Sequence, residues 1–152
     1  MIQDITQQTE VESKMFGLLM EGVRSTMAWK VQGADFSRKL STLRFMAQSF
    51  QRHLERLFAL EEYDGYMDLV TKKSPRLSRT VDALKLEHNQ FRADTRRIAH
   101  GLERISSPMD KAKFSALCDE WLDLLDKLDA HGRKETDLFQ EAFEQDRGGG
   151  EG

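Results

Sequence analysis

Three stretches of the chain carry apolar residues at alternating steps of four and three. This is the period of a helix packing along one face, and it leaves little room for any fold but a helical bundle. One seam reads Phe36, Leu40, Leu43, Ala47, Phe50, Leu54, Leu57, Glu61. The next reads Leu77, Val81, Leu84, His88, Phe91, Thr95, Ile98, Leu102, Ile105, and the last Phe114, Leu117, Trp121, Leu124, Leu128, His131, Glu135, Leu138, Ala142. An earlier stretch is broader and less regular, with Val11, Met15, Leu18, Leu19, Val23, Met27 and Trp29. Gly33 is placed to end a first helix and Asp35 to cap a second, while Ser74-Pro75 and Ser107-Pro108 each pair a capping side chain with a proline suited to a first turn. The spacing predicts helices over about 8–32, 35–71, 76–106 and 109–146. Short connections make neighbours antiparallel, so the expected architecture is an all-α, up-down-up-down antiparallel four-helix bundle spanning 1–146. Residues 147–152 are expected to form a flexible glycine-rich tail.

Composition narrows the function classes. The 152 residues carry a net charge of −3, which argues against general nucleic-acid binding. No apolar run approaches the roughly 18 residues of a membrane span, and Met1 to Glu12 lacks the basic and apolar regions of a secretory leader. With a single cysteine, Cys118, no internal disulfide is possible, and the expected location is the cytoplasm. Neither a nucleophile–base arrangement nor a phosphate-cradling glycine loop is present, and no enzymatic turnover is expected.

Four ionisable residues fall in phase with the seams: Glu61, His88, His131 and Glu135. Buried charge is costly unless it is paired or holds a metal. At the helical rise, Glu61 lies roughly 15 Å from the end of its predicted helix, His88 roughly 16–18 Å and Glu135 roughly 16 Å from the same end of the bundle, with His131 one turn deeper. Three helices therefore deliver two acids and two imidazoles to one level. His131 and Glu135, spaced i and i+4, share a helical face. Imidazole and carboxylate together suit zinc or non-haem iron, and bundle cores build such sites from facing helices.

At these residues the sequence resembles the hemerythrin-like (HHE cation-binding) family of four-helix bundles. The resemblance is carried by Phe58-Ala59-Leu60-Glu61-Glu62 running on to Gly65-Tyr66, by Glu87-His88, and by His131 and Glu135 followed by Leu138-Phe139-Gln140-Glu141-Ala142-Phe143. It implies a carboxylate- and histidine-ligated di-iron site that binds O2 or senses O2, nitric oxide or iron. Glu61 matches the family's bridging carboxylate, His88 the histidine of the third helix, and His131 and Glu135 the pair on the fourth. The chain departs from the family at three places. Leu57 stands where members place a histidine, no histidine lies on the first helix, and Arg92 stands where some members have a second third-helix histidine.

The four matched residues suffice for one four-coordinate ion, fewer than a hemerythrin-type di-iron centre uses. Three states stay open: a di-iron site, a single metal ion, and a metal-free structural or protein-interaction module in which two acids meet two bases. His53 stands roughly 12 Å along the axis from Glu61, too far for a metal bond without distortion of the helix. Glu62 and Glu87 are either partners of the ligands or plain surface acids. Met15, Met20 and Met27 are expected to fill core gaps and Cys118 to be a buried inert thiol. Lys72, Lys73, Arg76 and Arg79 form a basic cluster, solvated or facing an acidic partner.

Overall fold

The computed structural model describes residues 2–30, 34–106 and 110–149, with side chains described from 7 to 143 outside those gaps. Helix α1 spans Ile2–Ala28, α2 Ala34–Glu62, α3 Tyr66–Lys73, α4 Ser78–Glu103 and α5 Lys111–Gly149, with a 3-10 turn at Pro75–Leu77. The expected stops at Gly33 and Ser107-Pro108 lie outside the described residues, as do residues 150–152 of the glycine-rich tail. None of the helices described is long and apolar enough to cross a membrane.

Cross-helix contacts fix the direction of each neighbour. Phe16 on α1 meets Phe50 on α2 with ring centroids 4.8 Å apart, and Lys39, near the start of α2, donates to the Met27 carbonyl at the end of α1. Arg44 on α2 reaches the Leu102 carbonyl on α4 at 2.9 Å, while Glu61 at the far end of α2 meets His88. Arg97 on α4 pairs with Glu120 on α5, and Arg24 on α1 closes the ring with Asp126 and Asp129 on α5. Four long helices thus run up, down, up and down, as the spacing predicts. Every residue of the α2 seam and of the 77–105 seam is buried. At the centre, Trp121 stands edge-on to Phe50 with centroids 5.6 Å apart, a geometry favoured by the ring quadrupoles.

The structure corrects the sequence reading in three places. The second helix does not run to residue 71. It stops at Glu62, Asp64 takes a left-handed conformation (φ 52°), and the chain re-enters a helix at Tyr66. Asp68 stabilises the bend by accepting a hydrogen bond from the Asp64 N–H at 3.0 Å. Ser74, expected to cap with its side chain, makes no such bond; its N–H donates to the Val70 carbonyl. The α1 register also differs, because that helix is apolar on more than one side. Phe16 and Val23 are buried, whereas Val11, Met15 and Leu18 face outward, Leu18 with 69% exposure. Met20 and Met27 do pack against the core. Cys118 is half-buried, and burial pushes its thiol up to about 11.

The break in α2 matters because of where it sends the chain. Helix α3 lays Met67 and Val70 against Leu77, Val81, Leu84, Leu138 and Ala142, forming a small apolar cap. The main core, which includes Phe58, Phe91 and Leu128, lies on the other side of the Glu61–His88 level. A polar layer is therefore held between two apolar ones.

The bend depends on Gly65. A Cβ there would lie 2.0 Å from the Leu60 carbonyl oxygen and 2.5 Å from that of Glu61, and backbone cannot yield as a flexible side chain can. Gly65→Ala is expected to cost about 1–3 kcal/mol, the range for overpacking, in urea denaturation. Unchanged stability would mean that the bend is not held this tightly.

Candidate metal centre

The seam arithmetic places its four polar residues correctly. Glu61, His88, His131 and Glu135 each offer one ligand atom, and these atoms lie within 4.8 Å of one another; no other such group occurs among the described residues. Glu61 sits in the last turn of α2, His88 one turn past Leu84 on α4, and His131 and Glu135 one turn apart on α5. All but Glu135 are fully buried. The early end of α2 shifts the predicted axial distance for Glu61 but not its level, because the chain beyond it folds into the cap.

Each histidine is held by its outer nitrogen. Nδ1 of His88 lies 3.1 Å from Glu62, and Nδ1 of His131 lies 3.5 Å from Glu87. A carboxylate accepts, so Glu62 and Glu87 favour the tautomer with the proton on Nδ1, the form that would present an Nε2 lone pair to a metal. Glu62 is anchored by Arg92 at 2.7 Å, and Glu87 by Lys134 at 3.2 Å. Glu62 and Glu87, open in the sequence between partners of the cluster and plain surface acids, both contact its histidines. His88 further stacks flat on Phe58 (3.7 Å between centroids, 8° between planes), and Phe91 meets His131 edge-on at 5.2 Å.

The inward atoms have no hydrogen-bond partner. Nε2 of His88 lies 3.2 Å from Glu61 Oε2, and Nε2 of His131 lies 2.9 Å from Glu135 Oε1. Neither approach follows the line a hydrogen bond needs, so both Nε2 atoms and Glu61 Oε2 are buried and unpaired. Burial, with Glu135 beside it, holds the Glu61 carboxyl well above its usual range. Burial alone would raise Glu135 too, but Glu61, His131 and Tyr66 outweigh it and bring that group down to about 2. One proton is thus kept between the two acids, on Glu61. His88 is pushed below its usual value by burial, which favours the neutral imidazole a metal requires. Arg92 and His88 overcome burial to lower Glu62. These donors fit a metal ion: two imidazoles and two carboxyl groups converge, and both Nε2 atoms and Glu61 Oε2 have no hydrogen-bond partner.

Tyr66 completes the layer by donating its hydroxyl to Glu135 Oε2. The sequence reading quoted Tyr66 within the family motif without giving it a role; only the unforeseen bend at 63–65 carries it there. Glu12 was missed altogether. It is buried on α1 with 6% exposure, 2.9 Å from Arg56 and 3.5 Å from His53. His53 therefore faces Glu12 rather than the four-residue cluster, although neither its Nδ1 nor Glu12 Oε2 makes a hydrogen bond. Leu57 is buried in the main core, and Arg92 serves Glu62 and Glu55. An open cleft of about 450 Å3, lined from α1, α3 and α5, leads down to Glu61, Tyr66 and Glu135.

The sequence profile described as "Hemerythrin HHE cation binding domain" matches residues 8–143. Comparison with curated proteins and with solved structures finds no match.

The raised Glu61 carboxyl gives the metal-free protein a signed pH dependence. A carboxyl whose proton is held more tightly in the folded state contributes stability below the ordinary value of 4.5, and loses it as pH rises toward the folded value. Glu61→Gln keeps an N–H to donate to Glu135 and has no proton to lose. With chelator present, this variant is expected to match the wild type near pH 4.5 and to exceed it by on the order of 1 kcal/mol at pH 8. Parallel urea-denaturation profiles would contradict the assignment.

Proposed function

Because the chain belongs to the hemerythrin HHE cation-binding domain family, we propose that it binds a single non-haem iron ion through Glu61, His88, His131 and Glu135, and uses it to bind or sense a small diatomic molecule such as O2 or nitric oxide rather than to turn over a substrate. The observation that carries this reading is the set of buried, unpaired lone pairs converging from three helices. An unpaired buried polar atom costs about 1–3 kcal/mol, and several at one point are hard to account for unless a cation satisfies them. One ion rather than two fits the donor count. Leu57 packs in the core, and α1 turns Glu12 toward Arg56 and His53, so among the described residues neither helix adds a ligand beyond Glu61.

When bound, the iron would supply a redox-active Lewis acid able to take a small outside ligand. The chain's own residues set its surroundings. Glu62 and Glu87 fix the imidazole tautomers and raise their basicity. Tyr66 holds Glu135 in place by its hydrogen bond. Phe58 and Phe91 keep the rings rigid and exclude water from one side.

A second reading has an observation of its own. The His88–Glu61 and His131–Glu135 pairs lie within 3.2 Å and 2.9 Å, close enough for charge compensation in a metal-free interaction module. Metal analysis separates the two. Protein expressed in iron-supplemented medium and purified without chelator is expected to hold one iron per chain, and nitric oxide is expected to change the optical spectrum of its ferrous form. His131→Ala should abolish uptake, and Glu87→Ala should weaken it by about 10–100-fold, the usual cost of losing a hydrogen-bond partner of a metal ligand. His53→Ala should leave it unchanged. No metal after iron supplementation favours the empty module, and two irons per chain overturn the single-ion assignment.

A further inference from the structure

The cluster is closed on most sides. The outer nitrogen of each histidine is covered by a carboxylate with its own cation, and Phe58 and Phe91 pack against the rings. A cleft between the N-terminal part of α1 and α5, with Glu61 and Glu135 in its lining, opens onto the cluster. Its volume of about 450 Å3 falls in the range of small-molecule pockets, about 300–1,000 Å3, far beyond what a diatomic molecule needs.

Gly132 lines this cleft in mid-helix, directly after the ligand His131. Glycine inside a helix costs about 1 kcal/mol relative to alanine, so its presence calls for a reason. Packing is not that reason, since a Cβ built at Gly132 meets nothing within 4 Å. What a side chain there would occupy is the cleft. Across the gap, α1 presents the small hydroxyl residues Thr9 and Ser13. Both walls are therefore low beside the metal cluster. Among the described residues the lining carries acids and hydroxyls but no lysine or arginine, which favours cations and neutral ligands over anions.

We propose that the cleft is the entry route to the centre, that Gly132 is the gap holding it open, and that it admits the metal ion and neutral, multi-atom, nitrogen- or oxygen-bearing ligands. This rests on the metal-binding reading above. It goes beyond that reading in giving the centre a ligand class larger than a diatomic gas and in assigning access to two residues, Gly132 and Ser13, that touch no metal ligand through their side chains.

The probe is 2,2′-bipyridine, a neutral two-nitrogen chelator, acting on the full chain loaded with ferrous iron. If bipyridine enters the cleft, the extraction rate in the wild type rises in proportion to its concentration. Gly132→Phe is expected to slow extraction at least about tenfold, equivalent to about 1.4 kcal/mol of barrier, and to make it independent of bipyridine concentration. The iron content and the melting temperature of the metal-free variant should be no lower than in the wild type. Ser13→Phe narrows the cleft from the opposite wall without altering α5 and should act in the same direction. A chelator-independent rate in the wild type, or unchanged rates in both variants, overturns the gate while leaving the iron assignment intact. A wild-type protein that takes up no iron instead overturns the reading beneath it.

Discussion

The arrangement turns on a few buried lone pairs that the protein leaves unused. Two imidazole nitrogens and a carboxylate oxygen, removed from water and pointed at one another across three helices, raise the free energy of the metal-free fold. That cost persists only because the surroundings hold each group in place. Glu62 and Glu87 fix the two rings, Arg92 and Lys134 fix those acids, Phe58 stacks on His88, and Tyr66 ties down Glu135. A polar group free to turn would find a partner or water. These groups are prevented from turning, which is the preorganisation a metal site needs.

The backbone serves the same end. A bundle with an unbroken second helix would carry Tyr66 onward along the α2 axis. The bend through Asp64 and Gly65 instead folds α3 back over the end of the polar layer, laying Met67 and Val70 on α4 and α5. Apolar packing on both sides then squeezes the cluster axially. The opening that remains lies sideways, between α1 and α5, where small residues stand on both walls.

Much of this was legible in the sequence, because a seam with steps of four and three has only one way to face a neighbour. The positions of Glu61, His88, His131 and Glu135 followed from the same period, since a residue in phase with Leu54 and Leu57, with Leu84 and Phe91, or with Leu128 and Leu138 must point inward. The α1 register was hidden because Val11, Met15 and Leu18 are as apolar as the residues that pack; what selects the buried line is the fit of Phe16 to Phe50 and the pairing of Glu12 with Arg56. The helix break was hidden because Leu57, Glu61 and the apolar residues after Tyr66 continue a plausible helical pattern. The decisive contact is between the Gly65 backbone and the Leu60 and Glu61 carbonyls, a steric fact with no periodic signature. The roles of Tyr66 and Glu12 depended on those two features and were lost with them.

On the proposed reading, the two unpaired imidazole nitrogens and the carboxyl groups of Glu61 and Glu135 hold one metal ion. X-ray absorption on the iron-loaded protein reads that directly. The account predicts a nitrogen and oxygen shell at about 2.0–2.2 Å, scattering from two imidazoles per iron, and no metal–metal vector. A shell without imidazole, or a clear iron–iron vector, would contradict it.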